Sequence, residues 1–118
     1  MQPNLVGPAT TFSTEIRVAL EQEYGQGQVV VTKLLDDSSV VVVLPMRDDG
    51  QTNAQIRNAS GDVRCETEIP ASFRGGSGFA DAYYVHGELT AFFIRPGRDF
   101  ACVVDEKTGR ILKSYETR

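Results

Sequence analysis

The sequence predicts an α+β protein: one N-terminal helix packed on a strongly bent antiparallel sheet of about six or seven strands, as a half-barrel or small barrel. Three observations lead there. Two β-branched runs, Val29-Val30-Val31-Thr32 and Val40-Val41-Val42-Val43-Leu44, flank the polar turn Asp36-Asp37-Ser38-Ser39. Runs this apolar, bounded by turn residues, belong to strands buried on both faces. Only residues 11–24 carry a convincing helical period. From residue 82 onward the chain reads as a meander punctuated by Gly87-Glu88, Pro96-Gly97 and the stretch from Asp105 to Gly109.

A chain of 118 residues has room for one core and one domain. Its hydrophobic fraction of 41% and charged fraction of 24% are those of a soluble globular protein. Twelve Lys and Arg against sixteen Asp and Glu leave a net charge of -4, with the signs interspersed. That balance disfavours a surface that tracks nucleic-acid phosphates. No apolar run approaches the roughly 20 residues that span a bilayer, and Met1-Gln2-Pro3-Asn4 lacks the basic start of an export signal, so the expected location is cytoplasmic. Cys65 and Cys102 each sit inside an alternating strand, where buried thiols are expected ahead of a bridge or a metal knuckle.

In chain order, residues 1–10 read as an extended lead-in containing Pro3, Gly7 and Pro8. The helix follows: Phe12, Ile16, Ala19, Leu20 and Tyr24 share a face, Thr11 or Ser13 caps the start, and Gly25 with Gly27 stops it. After the valine hairpin, Arg47-Asp48-Asp49-Gly50 is a turn, and residues 52–58 alternate weakly through Ala54 and Ile56, as an edge strand does. Residues 62–69 set Val63, Cys65, Thr67 and Ile69 against Arg64, Glu66 and Glu68, one dry face and one wet. Pro70 ends that strand, and residues 71–81 form a Gly-rich loop.

The register of the meander can be worked out from its turns. Gly87-Glu88 as a type II′ turn places His86 opposite Leu89, Tyr84 opposite Ala91 and Ala82 opposite Phe93. Pro96-Gly97 places Phe93 opposite Phe100, Ala91 opposite Cys102 and Leu89 opposite Val104, so that large and small residues alternate. The other face carries Tyr83, Val85, Thr90, Phe92, Ile94, Ala101 and Val103, which is too apolar to lie fully in water. In the final hairpin Asp105 folds back on the backbone and Gly109 takes the left-handed position. Its string Val104-Asp105-Glu106-Lys107-Thr108-Gly109-Arg110-Ile111 resembles the closing hairpin of PepSY-type modules, and residues 13–25 resemble their opening helix. The Gly-rich insertion departs from that pattern, and no function is carried over.

The ligand-binding candidates are Arg74, Gly75, Gly76, Ser77 and Gly78, followed by Tyr84 and His86. Successive amides of a Gly-rich loop can form an anion-binding nest, and Arg74 can add a bidentate contact to a phosphate or carboxylate. The plainer reading is a connecting loop, because a phosphate-binding P-loop needs a helix-opening Gly-Lys-Ser/Thr end that is missing here. The only histidine, His86, belongs at the rim of the sheet. The partner-binding candidates are Tyr83 and Phe92 on the apolar face, with Arg95 and Arg98 bracketing an exposed turn. No catalytic set, cofactor motif or metal-ligand spacing is present.

The expected function is therefore a small non-catalytic module acting through protein–protein interaction: an adaptor, inhibitor or immunity-type protein with a protein partner or a second copy of itself. An inhibitor acting through the acidic surface on a basic target is one form of this. The alternative is a binder of a small molecule or anionic ligand, or a general acid/base enzyme using Asp81, Tyr84 and His86, in a sheet concavity under the Gly-rich loop.

Overall fold

The computed structural model describes residues 8–35, 39–47, 49–70 and 77–117. Helix α1 (Pro8–Tyr24) is followed by eight strands: β1 (Val30–Lys33), β2 (Val40–Val43), β3 (Ala54–Arg57), β4 (Val63–Glu66), β5 (Gly78–Val85), β6 (Glu88–Arg95), β7 (Arg98–Val104) and β8 (Ile111–Glu116). They form two four-stranded antiparallel meanders, ordered β1-β2-β3-β4 and β5-β6-β7-β8. The fold is α+β as expected, but the single bent sheet of six or seven strands is not found, and neither sheet closes into a barrel. Strand β4 ends at Glu66, and each half of the chain completes a sheet of its own.

The valine hairpin explains how the layers stack. Val31 pairs with Val42, and Thr32 with Val41, as the turn between the runs dictates. All four residues of β2 are buried. Val40 and Val42 meet Leu20 of α1 together with Val29 and Val31. Val41 and Val43 point the other way, into the main core with Ile56, Phe79, Leu89, Phe93 and Cys102. The order of layers is helix, first sheet, second sheet, with β2 in the middle, and strand periodicity alone distributes its valines between two cores.

Several expectations change in detail. The helix begins at Pro8, within the expected extended lead-in, so Thr11 and Ser13 lie inside it and do not cap its start; the missing N–H of a proline is no loss in a first turn. β3 lies between β2 and β4 with Ala54, Gln55 and Ile56 buried, so it is an interior strand and not an edge. Strand β4 is the edge and ends at Glu66, leaving Val63 about half exposed. Gly78–Asp81, read as the end of a loop, opens β5; a Cβ on Gly78 would stand 2.8 Å from Met46 Cγ.

In the second sheet, Phe93↔Phe100 and Ala91↔Cys102 pair as the Pro96-Gly97 turn requires. The β5–β6 register differs: Tyr84 pairs with Leu89 and Ala82 with Ala91. The turn residues are His86 and Gly87, both left-handed at φ 51° and 81°, which is the type I′ geometry that suits strand twist. The slip moves each partner by two positions, so every side chain keeps its face.

Side chains tie the two sheets together. Asn53, 4% exposed, donates from Nδ2 to the carbonyls of Leu44 (2.7 Å) and Phe79 (2.8 Å), and its Oδ1 accepts from Phe79 N–H (2.9 Å). Thr32 Oγ1 donates to the Ala82 carbonyl at 2.7 Å. Arg64 reaches the Glu106 carbonyl (3.0 Å), Asn58 Oδ1 (2.7 Å) and Ser39 Oγ. Gly109, at φ 78°, lies so close to the Glu66 carbonyl that no side chain fits there.

Candidate interaction surface

The inner face of the second sheet is consumed by the core, where the Phe79 and Phe93 rings meet edge to face at 5.1 Å. The outer face is different. Ladder pairing puts Tyr83 beside Thr90, Phe92 beside Ala101, Thr90 beside Val103, and Ala101 beside Tyr115. Thr90, Ala101 and Val103 form a buried floor of small side chains, while Tyr83 and Tyr115 stay 45% and 50% exposed. The Tyr83 and Phe92 rings lie 4.8 Å apart and tilted by 30°. The exposed ion pair of Glu88 with Lys113 (3.4 Å) borders this face, whereas that of Arg98 with Glu116 (2.7 Å) lies on the opposite side of the sheet, in phase with Phe93 and Phe100. Among the described residues, no element packs on this face in the way that α1 packs on the first sheet.

The partner-binding candidates Tyr83 and Phe92 thus come together. Arg95 and Arg98 face each other across the Pro96-Gly97 turn, and Arg98 is engaged by Glu116. Tyr115 was missed by the sequence reading. Its signal was the alternation of Lys113 and Tyr115 beyond the last hairpin, which becomes legible once Asp105 and Gly109 set the register of β8.

Of the ligand-binding candidates, Ser77, Gly78, Tyr84 and His86 are among the described residues. Arg74, Gly75 and Gly76 lie outside the described residues. Ser77 and Gly78 stand at the start of β5 and His86 just past its end, roughly 25 Å away at strand rise. Tyr84 lies between, and its hydroxyl already accepts from Leu35 N–H (3.0 Å) and donates to Glu106 Oε2 (2.6 Å).

A cavity of about 190 Å³ beside Phe79 is lined by Val30, Val43 and Met46, with no charged side chain in its wall. A groove of about 450 Å³ at the far end carries Glu88, Glu106 and Lys107 beside Leu89 and Leu112. Asp105 in its wall is committed to the hairpin, accepting from Lys107 N–H at 2.7 Å. Among the described residues, no three His, Cys, Asp or Glu side chains group to hold a metal ion.

Both thiols are free. Burial pushes the Cys102 thiol up to about 11. Burial also raises Cys65, with Asp105 adding and Arg64 opposing. Neither thiol has the lowered pKa of a reactive nucleophile. At the exposed turn after β2, Arg47 hydrogen-bonds Asp49 at 2.6 Å and holds that carboxyl down to about 2. This is turn chemistry far from the aromatic face. No described helix is long and apolar enough to cross a membrane. Comparison with protein-family models, curated proteins and solved structures finds no match to this chain.

Proposed function

We propose that this chain is a small non-catalytic binding module that holds a protein partner on the outer face of its second sheet, as an adaptor, inhibitor or immunity-type protein does. The observation that carries the reading is the Tyr83–Phe92 pair, with Tyr115 on the same face beside a floor of small buried residues. Rigid aromatics contribute large contact area at little conformational cost and recur where binding energy concentrates. The Glu88–Lys113 pair at the border carries both signs, so the complementary partner is a protein surface with an apolar centre and mixed charges around it.

The face itself is modest. Four strands about 4.8 Å apart and about seven residues long present roughly 400 to 500 Å². A standard interface uses about 800 Å² on each side, so the partner also engages the border or an adjoining edge.

The test is a Tyr83→Ser, Phe92→Ser double variant compared with the parent protein. Both are immobilised, the captured proteins are identified, and the best candidate is purified and titrated by calorimetry. The reading expects binding with a negative heat-capacity change that the variant loses while its circular dichroism is unchanged. Equal binding by a folded variant overturns it.

A further inference from the structure

The two sheets have four outer edges, and an unpaired edge is a template for another strand unless something blunts it. Three of the four are met, at least in part, from within the chain. On β1, Leu34 N–H bonds to Ser39 across the hairpin, so alternation turns Val31 outward, and its carbonyl accepts from Arg17 Nη2 at 2.8 Å. On β5, Asn53 takes both backbone groups of Phe79, while Asp81 Oδ1 and Thr32 Oγ1 take the N–H and C=O of Ala82. Beyond β4, Glu68 N–H donates to the Gly109 carbonyl at 2.8 Å, so the last hairpin lies along that edge.

Strand β8 is the exception. Thr117 N–H donates to Asp99 O at 2.9 Å, which directs the backbone of Lys113, Tyr115 and Thr117 toward β7 and that of Ser114 and Glu116 outward. Among the described residues nothing meets those outward groups. From Leu112 to Glu116 every residue of the strand is exposed.

We propose that β8 pairs antiparallel with β8 of a second copy of this chain, joining two second sheets into one continuous eight-stranded sheet. Charge and register argue for a second copy. With Ser114 opposite Glu116 of the other copy, and the reverse, the outward groups form four main-chain hydrogen bonds about a two-fold axis. In that register Tyr115 stands across from its own equivalent, Lys113 across from Thr117, and no like charges oppose each other. The ion pairs Glu88–Lys113 and Arg98–Glu116 stay within each chain. Pairing also sets the two aromatic faces side by side, doubling the roughly 400 to 500 Å² of one face toward standard interface size. The edge contact stands independently of the function proposed for that face.

Light scattering over a concentration range, with amide hydrogen exchange on the same full-length protein, tests the pairing. The expected result is a two-chain mass, with Ser114 and Glu116 amides protected at high concentration and released on dilution. Ser114→Pro removes one outward donor per copy at an edge position that tolerates proline, and self-association is expected to weaken at least about tenfold with the fold intact. Should Ser114→Pro disturb folding, Tyr115→Lys opposes two like charges at the axis from an exposed position and is expected to give single chains. Tyr83→Ser, which weakens the face, is expected to leave the pairing unchanged. A single-chain mass throughout with freely exchanging Ser114 and Glu116 amides overturns the proposal, and so does a dimer that survives Tyr115→Lys.

Discussion

Strands β2 and β6 hold equivalent positions, each second in its four-stranded meander, and each is apolar on both sides. In β2 both sides are covered: α1 closes over Val40 and Val42, and the second sheet closes over Val41 and Val43. In β6 only the side with Leu89, Ala91 and Phe93 meets a core, while Thr90, Phe92 and Ile94 look outward. The residues also differ in kind. β2 uses identical branched side chains that suit either core, whereas β6 places aromatics over a floor of small residues, as recognition surfaces often do. Apolar character on both sides of a strand therefore reports that both sides want cover, and says nothing about whether the cover belongs to the same chain.

The largest effect expected to separate the two sides lies in adjacent residues of β6. Phe93→Ala removes a ring 2% exposed that packs edge to face on Phe79 and should cost about 3 to 5 kcal/mol in urea unfolding. Phe92→Ala, on the outer side, should cost about 1 kcal/mol. Equal losses would mean that the outer face is closed, and the contrast with β2 would fail.

Asn53→Ala comes next, at roughly 2 to 3 kcal/mol, because it strands the Phe79 N–H and two carbonyls at the junction of the sheets. A loss below about 0.5 kcal/mol in the same assay would show that the sheets hold together without that clamp.

Alkaline pH probes the inner core through Cys102. Its folded pKa is raised to about 11, above the ordinary thiol value of 9.0, so the folded state keeps a proton that the unfolded state releases. Stability should be unaffected by this group below about pH 9 and fall by about 2 kcal/mol as pH rises toward 11. Cys102→Ala should flatten that part of the profile, and an unchanged slope would assign the decline to other groups.

The smallest expected effect concerns the β5–β6 turn. His86→Asn places a residue tolerant of left-handed backbone at φ 51° and should raise stability by about 0.5 kcal/mol without moving either face. A measured loss would show that the imidazole makes a contact worth more than the backbone relief.

Much of the fold was legible where local chemistry and periodicity agree. The valine hairpin, the body of the helix and the Pro96-Gly97 pairing follow from β-branched runs, helical periodicity and a tight turn, whereas the helix start lies upstream of the expected Thr11 or Ser13 cap. The β5–β6 register was misread because Gly87 fits two turn types, and only the left-handed His86 selects between them. By sequence β3 reads as an edge because Gln55 and Arg57 interrupt its pattern, yet Gln55 is buried and accepts a hydrogen bond from Arg57 Nε at 2.7 Å. Of the candidate residues, Tyr83 and Phe92 share one face because both fall on the outward phase of neighbouring strands, whereas Arg74, Gly75 and Gly76 lie outside the described residues.

The sequence by itself determined where most strands run and which face their side chains take, because those depend on residues within a few positions of one another; the start of β5 and the type of the β5–β6 turn were not among them. Tertiary structure decided that the strands divide into two stacked sheets instead of one bent sheet, that β2 serves two cores, and that among the described residues nothing meets the outward backbone of β8. Those outcomes rest on contacts between distant residues: Asn53 with Phe79, Thr32 with Ala82, and Gly109 against Glu66. No local pattern encodes such pairs, since each partner by itself reads as an ordinary loop or strand residue.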